Sequence, residues 1–193
     1  MQKKQLKIII SGGKTGGHLF PGIATAQALQ KLKSDICLLF VGTDAPFEIQ
    51  TLKKYGFDHK AIISKPIKSG TIMNKLGSAA LVLISLIQSI MIIQKFKPDF
   101  VLGVGGFSSF AVVLAAKIMG VPSAIQEQNA FPGLTNRLLM HITNTVFTAF
   151  EKTRGWTENP KVQYVGNPVR KASYTEVELP EHETDHKSEQ KTD

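Results

Sequence analysis

The chain has 193 residues, 42% hydrophobic and 20% charged, enough for one globular domain with a core and too few for two of ordinary size. No collagen-like, mucin-like or disulfide-rich bias is present, and a single cysteine excludes an internal disulfide, so a reducing cytoplasm is the natural setting. The net charge of +8 is uneven: residues 172–193 carry −5 and residues 1–171 carry +13, a basic body that points to nucleic acid, anionic lipid headgroups or a phosphate-bearing substrate.

The basic start, Met1 to Gln5, is followed by an apolar run of only Leu6 to Ile10, too short for the core of a secretory signal. Leu6 to Ser11 instead reads as a strand covered on both faces. Glycines follow, and Pro21 is expected to open a helix running to about Lys33, because proline suits a first helical turn. Ile36 to Val41 reads as a second buried strand with Cys37 as a small buried hydrophobe, Pro46 to Tyr55 as a helix, and His59 to Ile63 as a third strand. A long helix is expected from about Met73 to Phe96, stopped by Pro98. Strands at Val101–Val104, Ser123–Gln126, Thr145–Thr148 and Val162–Val165 alternate with helices at Ser108–Met119 and Leu134–His141. This order predicts an α/β fold, a Rossmann-like, doubly wound parallel sheet with right-handed crossovers. From Ala172 onward the hydrophobic periodicity is lost, so residues 172–193 are expected to form a disordered acidic tail and residues 1–171 the domain.

Ligands of open α/β sheets bind beyond the carboxyl ends of the strands. Two glycine-rich loops fall there: Gly12-Gly13-Lys14-Thr15-Gly16-Gly17-His18 and Gly103-Val104-Gly105-Gly106-Phe107. Glycine lets backbone approach a ligand closely, and a helix N-terminus offers free N–H donors to an anion. Two such loops on one edge predict a diphosphate site; tight turning alone is the competing explanation. Gly13-Lys14-Thr15 resembles the end of a P-loop, but the required first glycine falls on Ile8 inside a strand, which rules that motif out. The dinucleotide pattern fails at Ser11, and Asp44, which would imitate its ribose-binding acid, comes late; a nucleotide-binding oxidoreductase domain remains only as an alternative. His18, His59 and His141 form no metal-binding pair; His182 and His186 are four apart but lie in the acidic tail, and there is no D-x-D pattern for a metal-held diphosphate. His18 is chemically suited to general-base work, being the only histidine in a glycine loop at a helix start.

Two further segments complete a pattern: Glu127-Gln128-Asn129-Ala130-Phe131-Pro132-Gly133-Leu134-Thr135-Asn136-Arg137, and Gly166-Asn167-Pro168-Val169-Arg170. Together with the glycine loops, in this order, they resemble the MurG family of N-acetylglucosaminyltransferases (glycosyltransferase family 28) over nearly all of residues 6 to 170. Lys14, Gln126 and Ala111 depart from residues common in that family. The resemblance implies one half of a GT-B fold, the N-terminal domain that takes a lipid-linked muramoyl pentapeptide, with most contacts to UDP-N-acetylglucosamine coming from a second domain that this sequence lacks. It implies a hexosyltransferase of peptidoglycan synthesis with no cofactor, no metal and no nucleic-acid partner. Matched by motif, Thr15, Gly16, Gly17, Asn129 and Arg170 would contact the donor, Gly105 and Gly106 the substrate, and His18 would serve as base. Glu127 would be a catalytic or an orienting carboxylate. A separate chain carrying the donor domain is an expected partner. The alternative within this architecture is a non-catalytic module that anchors such a chain.

The run Ala79 to Ile93 is 15 apolar-rich residues, short of the roughly 20 of a membrane span. Its helix is apolar nearly all round, with Lys65, Lys68 and Lys75 before it and Lys95 and Lys97 after, as suits a peripheral protein on the anionic cytoplasmic face of a membrane. A core helix packed on the sheet is the plainer reading of the same residues.

Overall fold

The computed structural model describes residues 5–13, 15–64 and 72–169, with no account of the side chains of residues 72–76. Lys14, Lys65, Lys68, Arg170 and the acidic tail lie outside the described residues, as does the side chain of Lys75.

Seven strands form one parallel sheet. In chain order they are β1 (Lys7–Ser11), β2 (Cys37–Gly42), β3 (Asp58–Ala61), β4 (Phe100–Gly103), β5 (Ser123–Glu127), β6 (Thr145–Thr148) and β7 (Val162–Tyr164). The helices between them are α1 (Gly16–Leu32), α2 (Pro46–Lys54), α3 (Ile72–Phe96), α4 (Phe107–Ile118) and α5 (Leu134–Leu139). The spatial order β3-β2-β1-β4-β5-β6-β7 reverses direction between β1 and β4, so the crevice that binds ligands in such sheets opens there. The doubly wound α/β fold expected of the sequence is the fold observed.

Alternation along the strands builds two cores. Ile9, Leu39, Val41, Val101 and Ile125 pack on one face with α3, α4 and α5. Ile8, Ile10, Leu38, Phe40, Leu102 and Ala124 pack on the other with α1 and α2. Register aligns the strand ends: Ser11 pairs with both Val41 and Gly103, Gly103 with Ile125, and Glu127 with Thr148. The two glycine loops and the Glu127 segment therefore leave the sheet from one edge.

Three expectations need correction. The first helix opens at Gly16 rather than Pro21, with Leu19 N–H donating to Thr15 O at 3.0 Å. Pro21 removes only the bond that Gly17 O would accept, and Gly17 is exposed, so that carbonyl is free to meet water. Gly16 and Gly17 thus belong to the helix's first turn, and only Gly12 and Gly13 form the turn ahead of it. Cys37 is half-buried, standing at the start of β2 on the face it shares with Leu39 and Val41, opposite α1. The apolar stretch of α3 is longer than the sequence run: Gly77–Phe96 is long and apolar enough to cross a membrane, though only 17% of it is buried. One side of α3, with Ser78, Ser85, Ser89 and Ile93 buried, docks on the domain. Leu83, Ile84, Ile87 and Met91 remain exposed on the other.

Candidate functional site

The site is assembled where β1 and β4 end. Ser11 Oγ donates to Val41 O at 2.8 Å, tying the end of β1 to β2, and Val104 N–H donates to Ser11 O at 2.7 Å, tying the two glycine turns to each other across the crevice. Gly12 has φ +135°, and a Cβ there would run into Gly105 O. Gly105 has φ +103° and lies under the His18 ring, whose Nε2 is 2.8 Å from where a Cβ would stand. Both positions demand glycine for conformation and for space. Gly13 is closed from below, since a Cβ there would meet the Glu48 carboxylate. Gly17 differs: nothing lies within 4 Å of its would-be Cβ. Three of these glycines thus serve the packing of loop on loop, whereas Gly17 faces open space.

His18 occupies the first turn of α1, and its Nδ1 lies 3.1 Å from Thr15 Oγ1. Thr15 makes no side-chain cap of the helix; its hydroxyl is spent on the imidazole, which fixes the ring across Gly105. Burial lowers the His18 pKa below its ordinary 6.5, opposed in part by the negative charge of Glu127. At neutral pH the ring is therefore uncharged and able to accept a proton. The first-turn N–H groups at Gly16 and Gly17 have no acceptors within the helix; these two glycines line a hollow with Phe20, Asn167, Pro168 and Val169, apart from the space beside His18. A cavity of about 170 Å³ lies here, lined by Gly13, Thr15, His18, Thr43, Gly106 and Phe107 among others.

The segment after β5 is organised around Glu127, which is 1% exposed. Its Oε1 accepts from Asn129 N–H at 2.9 Å and Asn129 Nδ2 at 3.0 Å. Its Oε2 accepts from Gly133 N–H at 3.1 Å and Asn136 Nδ2 at 2.9 Å. Asn136 Nδ2 also reaches Gln126 O at 3.1 Å, and Gln128 Nε2 donates to Val104 O at 3.1 Å, joining this knot to the second glycine turn. Both carboxylate oxygens are thus committed to holding the loop, with the exposed Asn129 at its rim.

Of the residues singled out in the sequence, Thr15, His18 and Gly106 line one cavity with Gly105 under the His18 ring, Gly16 and Gly17 line a separate hollow with Asn167, Pro168 and Val169, Glu127 lies within electrostatic reach of His18, and Asn129 stands on the Glu127 loop. Arg170 is outside the described residues. The sequence did not disclose Glu48. It is fully buried, accepts from Thr43 N–H at 3.1 Å and Thr43 Oγ1 at 2.7 Å, stands 3.6 Å from His59 Nε2, and fills the space beneath Gly13 and Gly42. An acidic residue in a helix's first turn is ordinary, so only the two facing glycines hinted at it. Among the described residues no three His, Cys, Asp or Glu side chains gather as a metal site.

The model of the glycosyltransferase family 28 N-terminal domain matches residues 8–148. The UDP-N-acetylglucosamine–N-acetylmuramyl-(pentapeptide) pyrophosphoryl-undecaprenol N-acetylglucosamine transferase of Myxococcus xanthus is 42% identical over 166 residues, covering 86% of this chain and 43% of that protein. The same-named protein of Syntrophus aciditrophicus is 43% identical over 171 residues, covering 88% and 47%. Among solved structures, Acinetobacter baumannii MurG superposes with a TM-score of 0.72 at 26% identity, covering 86% of this chain and 47% of that one. The UDP-GlcNAc 2-epimerase of Neisseria meningitidis, bound to UDP-GlcNAc, shares the fold at 18% identity and TM-score 0.64, covering 84% and 46%. The chain thus spans less than half the length of these relatives, its sheet being one half of a GT-B fold. With its glycine turns, His18 and the Glu127 loop inside or against the matched span, the chain belongs to glycosyltransferase family 28, as an N-terminal domain of that family.

Proposed function

We propose that this domain supplies the acceptor half of a hexosyltransferase that moves N-acetylglucosamine from UDP-N-acetylglucosamine to a muramoyl-pentapeptide pyrophosphoryl-undecaprenol. One observation carries the reading: a neutral, half-buried histidine is held between two mutually packed glycine turns at the crevice of the sheet. In the reaction an acceptor hydroxyl attacks the anomeric carbon of the donor sugar. The new C–O bond forms, the bond to the UDP diphosphate breaks, and the hydroxyl proton must leave. His18 takes that proton on Nε2, which requires Nδ1–H to donate to Thr15 Oγ1. The N–H groups of Gly16 and Gly17 and the backbone of Gly105 and Gly106 meet phosphate oxygens. Glu127 acts through others: it shapes the Asn129 loop and stabilises the imidazolium formed after proton transfer. Asn129 and Arg170 contact the donor, most of whose binding comes from a second half, on this polypeptide or on another chain. No metal, cofactor or nucleic acid enters this chemistry. The exposed Leu83, Ile84, Ile87 and Met91 of α3, with exposed Lys95 and Lys97 at its end, rest the domain on the cytoplasmic face of an anionic membrane as a peripheral protein.

The test is a transfer assay on this chain mixed with a separately produced donor half of the family. Sugar transfer is expected, and His18→Ala should lower its rate by about 10²–10⁴-fold with an unchanged fold. Unaltered turnover in that variant removes His18 from the base role. No transfer by a correctly paired complex would leave the domain as an anchor instead.

A further inference from the structure

Besides the His18 cavity, the described residues form an apolar pocket of about 290 Å³ between α3, α4 and α5. Its walls are Leu81, Val82, Phe107, Phe110, Leu134 and Leu138, and no charged residue lines it. The Ser85 hydroxyl on its α3 side donates to Leu81 O at 2.9 Å and also contacts Ile63 O, so this polar group is satisfied internally and asks nothing of a ligand. A mostly apolar concavity without charged walls takes a hydrocarbon better than a sugar or a peptide.

The pocket does not stand alone. Ser64 and Phe107 line both it and the cavity that holds His18, Thr15 and Gly106. Phe107, the first residue of α4, is a wall shared by the His18 cavity and the apolar pocket. On the far side α3 continues as the exposed row Leu83, Ile87 and Met91. The His18 cavity, read above as part of the diphosphate site, thus adjoins an apolar pocket whose α3 wall belongs to a helix with an exposed apolar row.

A polyprenyl diphosphate has this sequence of chemistry, with its first isoprenoid carbon bonded directly to a phosphate oxygen. We propose that the α3–α4–α5 pocket is the subsite for the phosphate-proximal isoprenoid units of the acceptor. The inference rests on the reading of the glycine turns as a diphosphate site and adds where the lipid begins. The domain then selects its acceptor by the allylic end of the lipid as well as by the headgroup, and the distal chain leaves along α3.

The test measures binding of geranyl diphosphate and of inorganic diphosphate to the full chain by calorimetry. Geranyl diphosphate is expected to bind at least about tenfold more tightly, since each methylene removed from water contributes roughly fourfold. Two variants probe the pocket without adding charge near the phosphates. Leu134→Ser with Leu138→Ser removes two walls that are 63% and 51% exposed, so the core is untouched. Val82→Trp fills the space from α3. Each should bring geranyl diphosphate to within about twofold of inorganic diphosphate and leave the inorganic ion unchanged. If inorganic diphosphate binds and the geranyl chain adds nothing, or if both variants retain its full advantage, the isoprenoid subsite is refuted and the glycine-turn reading stands. If neither ligand binds, the glycine-turn reading falls and the subsite falls with it.

Discussion

The two sides of the crevice are built on opposite plans. The Glu127 side is closed on itself, with four donors converging on one buried carboxylate and the loop from residue 127 to residue 136 wrapped around it. The α1 side is open: Gly17 has no neighbour where a side chain would be, the first-turn N–H groups look outward, and His18 keeps one ring nitrogen away from its Thr15 partner. The side whose sequence is most distinctive is therefore the scaffold, and the side built from common glycines presents the chemistry. A long motif reports how many internal bonds a loop must make. A short glycine motif reports only that backbone must come close to something.

That contrast can be broken by substitution. The largest effect is expected from Glu127→Ala, which removes the acceptor shared by Asn129, Gly133 and the buried Asn136 and leaves Asn136 Nδ2 with Gln126 O alone; chemical denaturation should show a loss of about 2–4 kcal/mol. A loss below about 1 kcal/mol would mean that the knot is not what holds the loop. Next comes Gly105→Ala, which combines φ +103° with a clash against His18 and should cost about 1–3 kcal/mol. Its opposite is Gly17→Ala. With free space around it and no positive φ, alanine in this helical turn should stabilise the fold by up to about 1 kcal/mol while weakening diphosphate binding. Destabilisation by Gly17→Ala would show that this glycine serves packing after all.

The smallest effect concerns pH. His18 has a folded pKa below 6.5, so the unfolded chain binds its proton more readily than the native one. Its neutral form gives full stability above 6.5, and stability declines as the pH falls from 6.5 through the lower folded value, then levels off. The denaturation midpoint of the wild type, followed across that window, should fall relative to that of His18→Asn as the pH drops.

Much of this was legible in the chain. The continuous apolar runs of β1 and β2 and the glycine turns after β1 and β4 specify a parallel sheet with its site on one edge, because a strand buried on both faces has no polar alternation. The start of α1 was not legible. Proline is equally at home in a first turn, and only the Leu19-to-Thr15 bond reveals that the helix already includes Gly16. Glu48 stayed hidden for another reason: its burial depends on Gly13 and Gly42, which are 35 and 6 residues away in sequence and converge only when β1 pairs with β2. The two roles of α3, core on one side and exposed apolar surface on the other, cannot be separated in a helix that is apolar nearly all round.

Titration of the isotopically labelled chain with inorganic diphosphate, followed residue by residue through its amide NMR signals, tests the account most directly. The amides of Gly16, Gly17, Gly105 and Gly106 are expected to shift together with one affinity, and the His18 pKa to rise on binding. Shifts scattered over surface lysines, with those four amides and the His18 ring unmoved, would contradict it.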